Sequence, residues 1–333
     1  MFVDQRKLQE MGGGTLLVSL PKDWSRRHKL HKGSSVTIGI RADDSLTILT
    51  DVHGEPRRIV IQYQARTINQ VINEIVGAYL LGYDTIMIRG NERVRYEDRE
   101  QIKHAIRQLV GLEIVEEESR SILVQCLLEP KTVKPEKIFT RMHLMVRGMY
   151  RDGITALSDR DKHLARIVIE RDDEVDRLYF LLVRLIRSIA IDPRLAEVLN
   201  VSYIECLDYR VAANILESIG DTAVEIARMV LSISGQLATN PLKTVLIEIR
   251  SSLEVMQNYS VRAFLDKNRA DAQAVVGISS TIMDKCKKLE KIAMAGPKTS
   301  LVELQTTIAN FNKISRYNID IADLAVPMYP MIR

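Results

Sequence analysis

Hydrophobic and polar positions along the chain change their period twice. Up to about Asp51 they alternate with period two, in short segments rich in β-branched residues: VDQRKL, TLLVSL, SSVTIGI and SLTILT. Gly12-Gly13-Gly14 and Asp43-Asp44 punctuate them. Between the second and third lies PKDWSRRHKL, two turns of helix with Pro21 at its start. The pattern predicts β-β-α-β-β in about 50 residues, too short a chain to bury a core alone. Strand exchange with a second copy is therefore expected.

From Glu55 to Pro130 strands and helices alternate. RRIVIQY, TIMIRG, LEIVEEE and SILVQCLL read as strands, the last two as an antiparallel pair. TINQVINEIVGAYLLG and YEDREQIKHAIRQLVG read as amphipathic helices. From Glu136 onward only helical periodicity remains. Breaks at Ser158-Asp159, Asp192-Pro193, Asn240-Pro241, Asp266-Lys267-Asn268 and Gly296-Pro297 predict six helical stretches in two sets of three. LESIGDTAVEIA and SRYNIDIADLAV end the two sets, sharing an Asp (Asp221, Asp320) and an Ala two residues later (Ala223, Ala322). This predicts a duplicated three-helix unit. The expected boundaries are 1–52, 53–132, 133–238 and 239–333.

Composition narrows the class. Hydrophobic residues make up 46% and charged residues 27%, which excludes disorder and fibrous repeats. Lys plus Arg (47) exceed Asp plus Glu (43) by four, too little by itself to imply a nucleic-acid partner. Cys126, Cys206 and Cys286 form neither a disulfide framework nor a thiolate metal site, so a reducing, cytoplasmic setting is expected. No leader is read at the N-terminus. The most apolar run, from Tyr179, is interrupted by Arg184 and Arg187, so no insertion into a bilayer is expected.

Two constellations carry chemistry. Asp172 and Asp176 stand four residues apart, as do Glu217 and Asp221, so each pair lies on one helix face. Converging from neighbouring helices, they would make a hard oxygen cluster suited to Mg, Mn or Fe. The alternative is two solvated faces balanced by Arg171, Arg177 and Arg228. In the second set Lys288 follows Asp284 and Arg316 precedes Asp320 at the same spacing, which predicts internal ion pairs instead of a second cluster. The other constellation is basic: Arg6, Lys7, Lys22, Arg26, Arg27, Lys29 and Lys32. Doubled by dimerisation it would give a cationic surface able to neutralise phosphates of a duplex; the other reading is an ordinary solvated surface. The Gly12–Gly14 amides could approach phosphate oxygens. Trp24, beside Leu20, is expected in the core. The six histidines show no ligand spacing. No GxGxxG, P-loop or Ser-His-Asp arrangement occurs, and no His follows a Glu by three residues in the bundle, so no catalytic residue is assigned.

GGGTLLVSLPKDWSRRHKLHKGSSVTIGI (Gly12–Ile40) resembles the SpoVT/AbrB-type swapped-hairpin DNA-binding domain. NILESIGDTAVEIA (Asn214–Ala227) and IERDDEVDRL resemble the metal motifs of the PhoU family, tandem three-helix bundles, with Ser218 where the family has Arg. The combination is similar to an archaeal PhoU-like regulator with a fused DNA-binding head. The resemblance implies a multidomain α+β chain: a swapped-hairpin β head, a small α/β middle domain and all-α tandem three-helix bundles. It implies a non-enzymatic homodimer or higher oligomer that regulates transcription for phosphate uptake and homeostasis. Double-stranded DNA would be held by Arg6, Lys7, Lys22, Arg26, Arg27 and Lys29. A divalent or trivalent cation (Mg, Mn, Fe or Zn) would be held by Asp172, Asp176, Glu217 and Asp221. The alternative is an adaptor that regulates a membrane phosphate transporter by protein contact, its head serving only for dimerisation.

Overall fold

The computed structural model describes residues 5–40, 44–50, 56–64, 66–233, 240–294 and 301–325. The chain divides into two units, Met1–Arg57 and Arg58–Arg333.

Among its described residues the first unit holds two antiparallel hairpins and one short helix. β1 (Gln9–Met11) pairs with β2 (Thr15–Leu17), and β3 (Val36–Ile40) with β4 (Leu46–Thr50). Gly13 and Gly14 turn the first hairpin at φ +98° and +81°, a backbone region that residues with a Cβ rarely enter. The first strand forms after VDQRKL, at Gln9–Met11. The tight glycine turn sets Met11 opposite Thr15, and the ladder between β1 and β2 ends at Gln9 opposite Leu17. α1 (Lys22–Arg27) begins after Pro21 at its N-cap. No described residue of these elements is buried: Leu16, Ile38, Ile40 and Leu46 are each at least 60% exposed. Trp24 accordingly sits half-buried, its ring 4.9 Å from that of His28, and not in a core as its place beside Leu20 suggested.

The second unit opens with a four-stranded sheet in the order β5-β6-β8-β7, where β5 (Arg58–Gln62) and β6 (Thr85–Arg89) are parallel and β8 (Ser121–Cys126) is antiparallel to both β6 and β7 (Leu112–Glu117). α2 (Ile68–Leu80) starts at a Thr67/Gln70 capping box, and α3 (Tyr96–Arg107) carries Asp98 inward onto Arg95 at 2.8 Å. Val71, Ile75 and Tyr79 of α2 and Ile102 and Ile106 of α3 repeat at helical spacing. They bury one face of each helix against Ile61, Ile86, Ile88, Ile122 and Val124.

The helices that follow are α4 (Pro135–Asp159), α5 (Lys162–Glu170), α6 (Asp172–Ile191), α7 (Pro193–Leu199), α8 (Tyr203–Ser232), α9 (Asn240–Asp266), α10 (Arg269–Met294) and α11 (Leu301–Asp323). Arg160, Asn200 and Lys267 leave their helices in the left-handed region, at φ 61°, 51° and 53°, which stops the helical ladder at each. Where three stretches were expected in the first set, it contains five helices among the described residues. The chain bends at Arg171 between α5 and α6, and α7 is a separate short helix behind Asp192, whose side chain caps it. The break expected at Asn240-Pro241 falls at the start of α9, and the one at Gly296-Pro297 lies outside the described residues.

The two helical sets share one core. α4 packs on α8 and α9, and α11 on α8, so Phe139, Met142, Met149, Leu216, Met256 and Phe311 belong to a single apolar cluster. The sheet layer is fastened to this bundle at Arg184 of α6, which is 4% exposed. Its Nη1 donates to the carbonyls of Tyr79 (2.6 Å) and Tyr83 (3.0 Å), and its guanidinium lies 4.9 Å from the Tyr79 ring. Those carbonyls sit at and just beyond the C-terminal end of α2, and that of Tyr79 also accepts from the Gly82 amide at 3.0 Å. Among the described residues no helix is long and apolar enough to cross a membrane.

Candidate functional site

The four carboxylates singled out by spacing are brought together. Asp172 and Asp176 lie on the first two turns of α6, opposite Glu217 and Asp221 on α8. The helices approach closely there: Gly220 has Val175 and Val146 side chains and the Asp172 Oδ1 3.6 to 3.9 Å from where a Cβ would stand. Burial and the neighbouring negative charges of Asp172, Glu217, Asp221 and Asp173 push Asp176 up to about 7. Burial, then Asp221, raises Asp172, with Arg228 opposing. Burial, then Asp221 and Asp172, raises Glu217, while Asn214 Nδ2 donates to it at 3.4 Å.

The arginines available to neutralise this face are mostly turned elsewhere. Arg171 bonds Asp152 at 2.5 Å, and Arg177 bonds Glu174 at 2.7 Å. Only Arg228 of the three acts on the cluster electrostatically. Among the described residues no ion pair engages any of the four carboxylates. The donor chemistry thus fits a hard cation, because concentrated, half-buried negative charge is what such an ion relieves. Among the described residues, however, no three His, Cys, Asp or Glu side chains close to a formed metal shell.

The second set differs in its partners. Asp284 pairs with Lys287 at 3.2 Å and Lys288 reaches Glu248 at 3.9 Å, so the expected Asp284–Lys288 pair is not formed. Side-chain reach across to α9 competes with the i+4 neighbour. Lys285 reaches α9 as well, donating to the Glu248 carbonyl (3.2 Å) and Ser252 Oγ (2.7 Å). No Arg316–Asp320 pair occurs among the ion pairs of the described residues.

In the N-terminal unit Arg6, Lys7, Lys22, Arg26, Arg27 and Lys29 are all exposed. Arg6 donates to Ser19 Oγ at 3.3 Å and Arg26 approaches Asp23 at 3.6 Å. The first and last turns of α1 carry Lys22, Arg26 and Arg27, and Lys29 follows at φ 52°.

Arg184 was legible only as an interruption of an apolar run. A charge placed inside such a run signals a buried partner, but which partner could not be read locally.

Long helices in two sets around one core, with a carboxylate face on the first, define a helical-bundle architecture. Residues 139–230, which include all four carboxylates, match the PhoU domain family. The phosphate transport system regulatory protein PhoU from Streptococcus pneumoniae is similar in structure at 18% identity and a TM-score of 0.50, over 60% of this chain and 96% of that one. PhoU from Pseudomonas aeruginosa is similar at 19% identity and a TM-score of 0.50, over 58% of this chain and 93% of that one. The helical part of the chain therefore has the PhoU fold. A search of curated protein sequences returns no match.

Proposed function

We propose that this protein regulates phosphate uptake, its PhoU-like helices receiving the signal and its N-terminal unit holding promoter DNA as a dimer. The PhoU-domain match over residues 139–230 carries the reading. Arg6, Lys7, Lys22, Arg26, Arg27 and Lys29 bind DNA phosphates, as their joint exposure on one small unit supports. That unit exposes Leu16, Ile38, Ile40 and Leu46. A second copy exchanging hairpins with it supplies the missing core and doubles the basic surface. Asp172, Asp176, Glu217 and Asp221 hold a divalent or trivalent cation (Mg, Mn, Fe or Zn), which when bound neutralises the carboxylate face between α6 and α8.

The test is capture of fragmented genomic DNA by the purified protein at about 150 mM salt, with sequencing of what is retained. Enrichment near phosphate-transport genes is expected. Arg26→Ala combined with Arg27→Ala should weaken binding and flatten its salt dependence, by about 0.9 in log–log slope for each phosphate no longer neutralised. An unchanged slope overturns the assignment of these arginines. Uniform weak capture, with the protein retained by transporter components after nuclease treatment, replaces the DNA-binding reading by the adaptor one.

A further inference from the structure

We infer that a phosphate-bearing small molecule binds in the cleft between the sheet layer and helix α6. The cleft has a volume of about 550 Å³ and is walled by Lys103 and Arg107 of α3, by Gly111 just before β7, by Glu113 and Ile114 of β7, and by Arg177 of α6. That volume is of the size that accepts an organic ligand and exceeds what a lone inorganic phosphate would fill. Lys103, Arg107 and Arg177 line it beside Glu113, and because Lys103 and one arm of Arg177 are already paired with acids, the cationic groups left for an anion are Arg107 and the Arg177 Nε.

The cations differ in how committed they are. Lys103 is already held by Glu117 (3.1 Å) and Glu100 (3.3 Å). Arg107 is exposed and makes no hydrogen bond or ion pair among the described residues. Arg177 spends Nη1 on Glu174, while its Nε is buried without a hydrogen-bond partner among the described residues. An unmade bond at a buried donor is costly, and a phosphate oxygen accepts from a guanidinium with matching geometry.

The cleft's shape is held from outside. Gly111 has φ +77°, and a Cβ there would run into the Leu128 side chain, so the turn does not accept a larger residue without a shift. At its edge Gln108 Nε2 donates to Asp173 at 3.4 Å, linking the layer to α6 one turn before Arg177. Arg177 follows Asp176 on the same helix, and successive side chains diverge by about 100°. The cleft and the carboxylate face are therefore separate, and ligand binding in the cleft is independent of the proposed function.

Calorimetric titration of the full-length protein in EDTA with ATP, and separately with inorganic phosphate, tests it. Chelation keeps a metal at the carboxylates from recruiting the nucleotide. ATP is expected to bind once per chain with Kd below about 100 μM, and inorganic phosphate at least about tenfold more weakly. Arg107→Glu, an exposed change unlike any core substitution, should weaken ATP at least about tenfold. Arg26→Ala with Arg27→Ala in the N-terminal unit should leave ATP binding unchanged. No ATP binding at millimolar concentration overturns the inference, as does binding that ignores Arg107→Glu or disappears with the N-terminal variant.

Discussion

The two helical sets use similar helices to opposite electrostatic ends. In the first, Asp172, Asp176, Glu217 and Asp221 crowd between α6 and α8 while Arg171 and Arg177 are bonded to other acids. In the second, Lys285, Lys287 and Lys288 close onto Glu248, Ser252 and Asp284, so the face neutralises itself. The first set also carries the sheet layer, through Arg184. Charge left uncompensated on a packed helix face is available to a ligand, whereas charge paired across the same kind of face contributes to holding helices together. The two sets thus differ in charge compensation: the first leaves its four carboxylates without ion pairs among the described residues, and the second pairs its own charges.

The largest effect should come from breaking the attachment peculiar to the first set. Arg184→Met keeps much of the side-chain length but leaves the Tyr79 and Tyr83 carbonyls without that donor, and should cost about 3 kcal/mol in chemical denaturation. A loss below about 0.5 kcal/mol would mean the layer is held by its apolar packing alone.

The next effect is pH-dependent. Asp176 titrates near 7 in the folded state, above its ordinary range. Below about pH 4 the group is protonated whether folded or unfolded, and it contributes nothing. Between there and about pH 7 the unfolded chain releases the proton more readily, so metal-free protein should lose stability as pH rises, then level off. Denaturant midpoints measured across that window in EDTA should fall for the wild type and stay flatter for Asp176→Asn. Adding Mn(II) at pH 7 should restore the wild type, and Glu217→Gln with Asp221→Asn should abolish that rescue. A wild type indifferent to both pH and Mn(II) would contradict the receptive character of this face.

The smallest effect tests the self-satisfied half. Lys285→Met removes the donors to the Glu248 carbonyl and Ser252 Oγ, two partly exposed bonds, and should cost about 1 kcal/mol without altering Mn(II) binding. Altered Mn(II) binding in this variant would show the two halves to be energetically coupled through their common core.

The carboxylate pairs were legible because i, i+4 spacing is a local property of a helix: wherever the helix forms, Asp172 and Asp176 share a face, and so do Glu217 and Asp221. The alternation in RRIVIQY and TIMIRG was legible for the same reason, as were the stops near Ser158-Asp159, Asp192-Pro193 and Asp266-Lys267-Asn268. Partner choice was not legible. Arg171 was an equal candidate for the acidic face until the packing of α4 put Asp152 within 2.5 Å of it. Lys288 had Asp284 one turn away yet reached across to Glu248. The kink at Arg171 and the burial of Arg184 likewise depend on packing between residues many positions apart.

The sequence by itself determined the period of each segment, the faces it presents and the residue types on each face, because those follow from backbone period and side-chain chemistry over a few neighbouring residues. Only the tertiary structure decided which arginines neutralise which acids, and that the sheet layer and α6 enclose a cationic cleft. Those outcomes depend on distances between side chains that the chain's local periodicity leaves undetermined and that packing of the whole core sets.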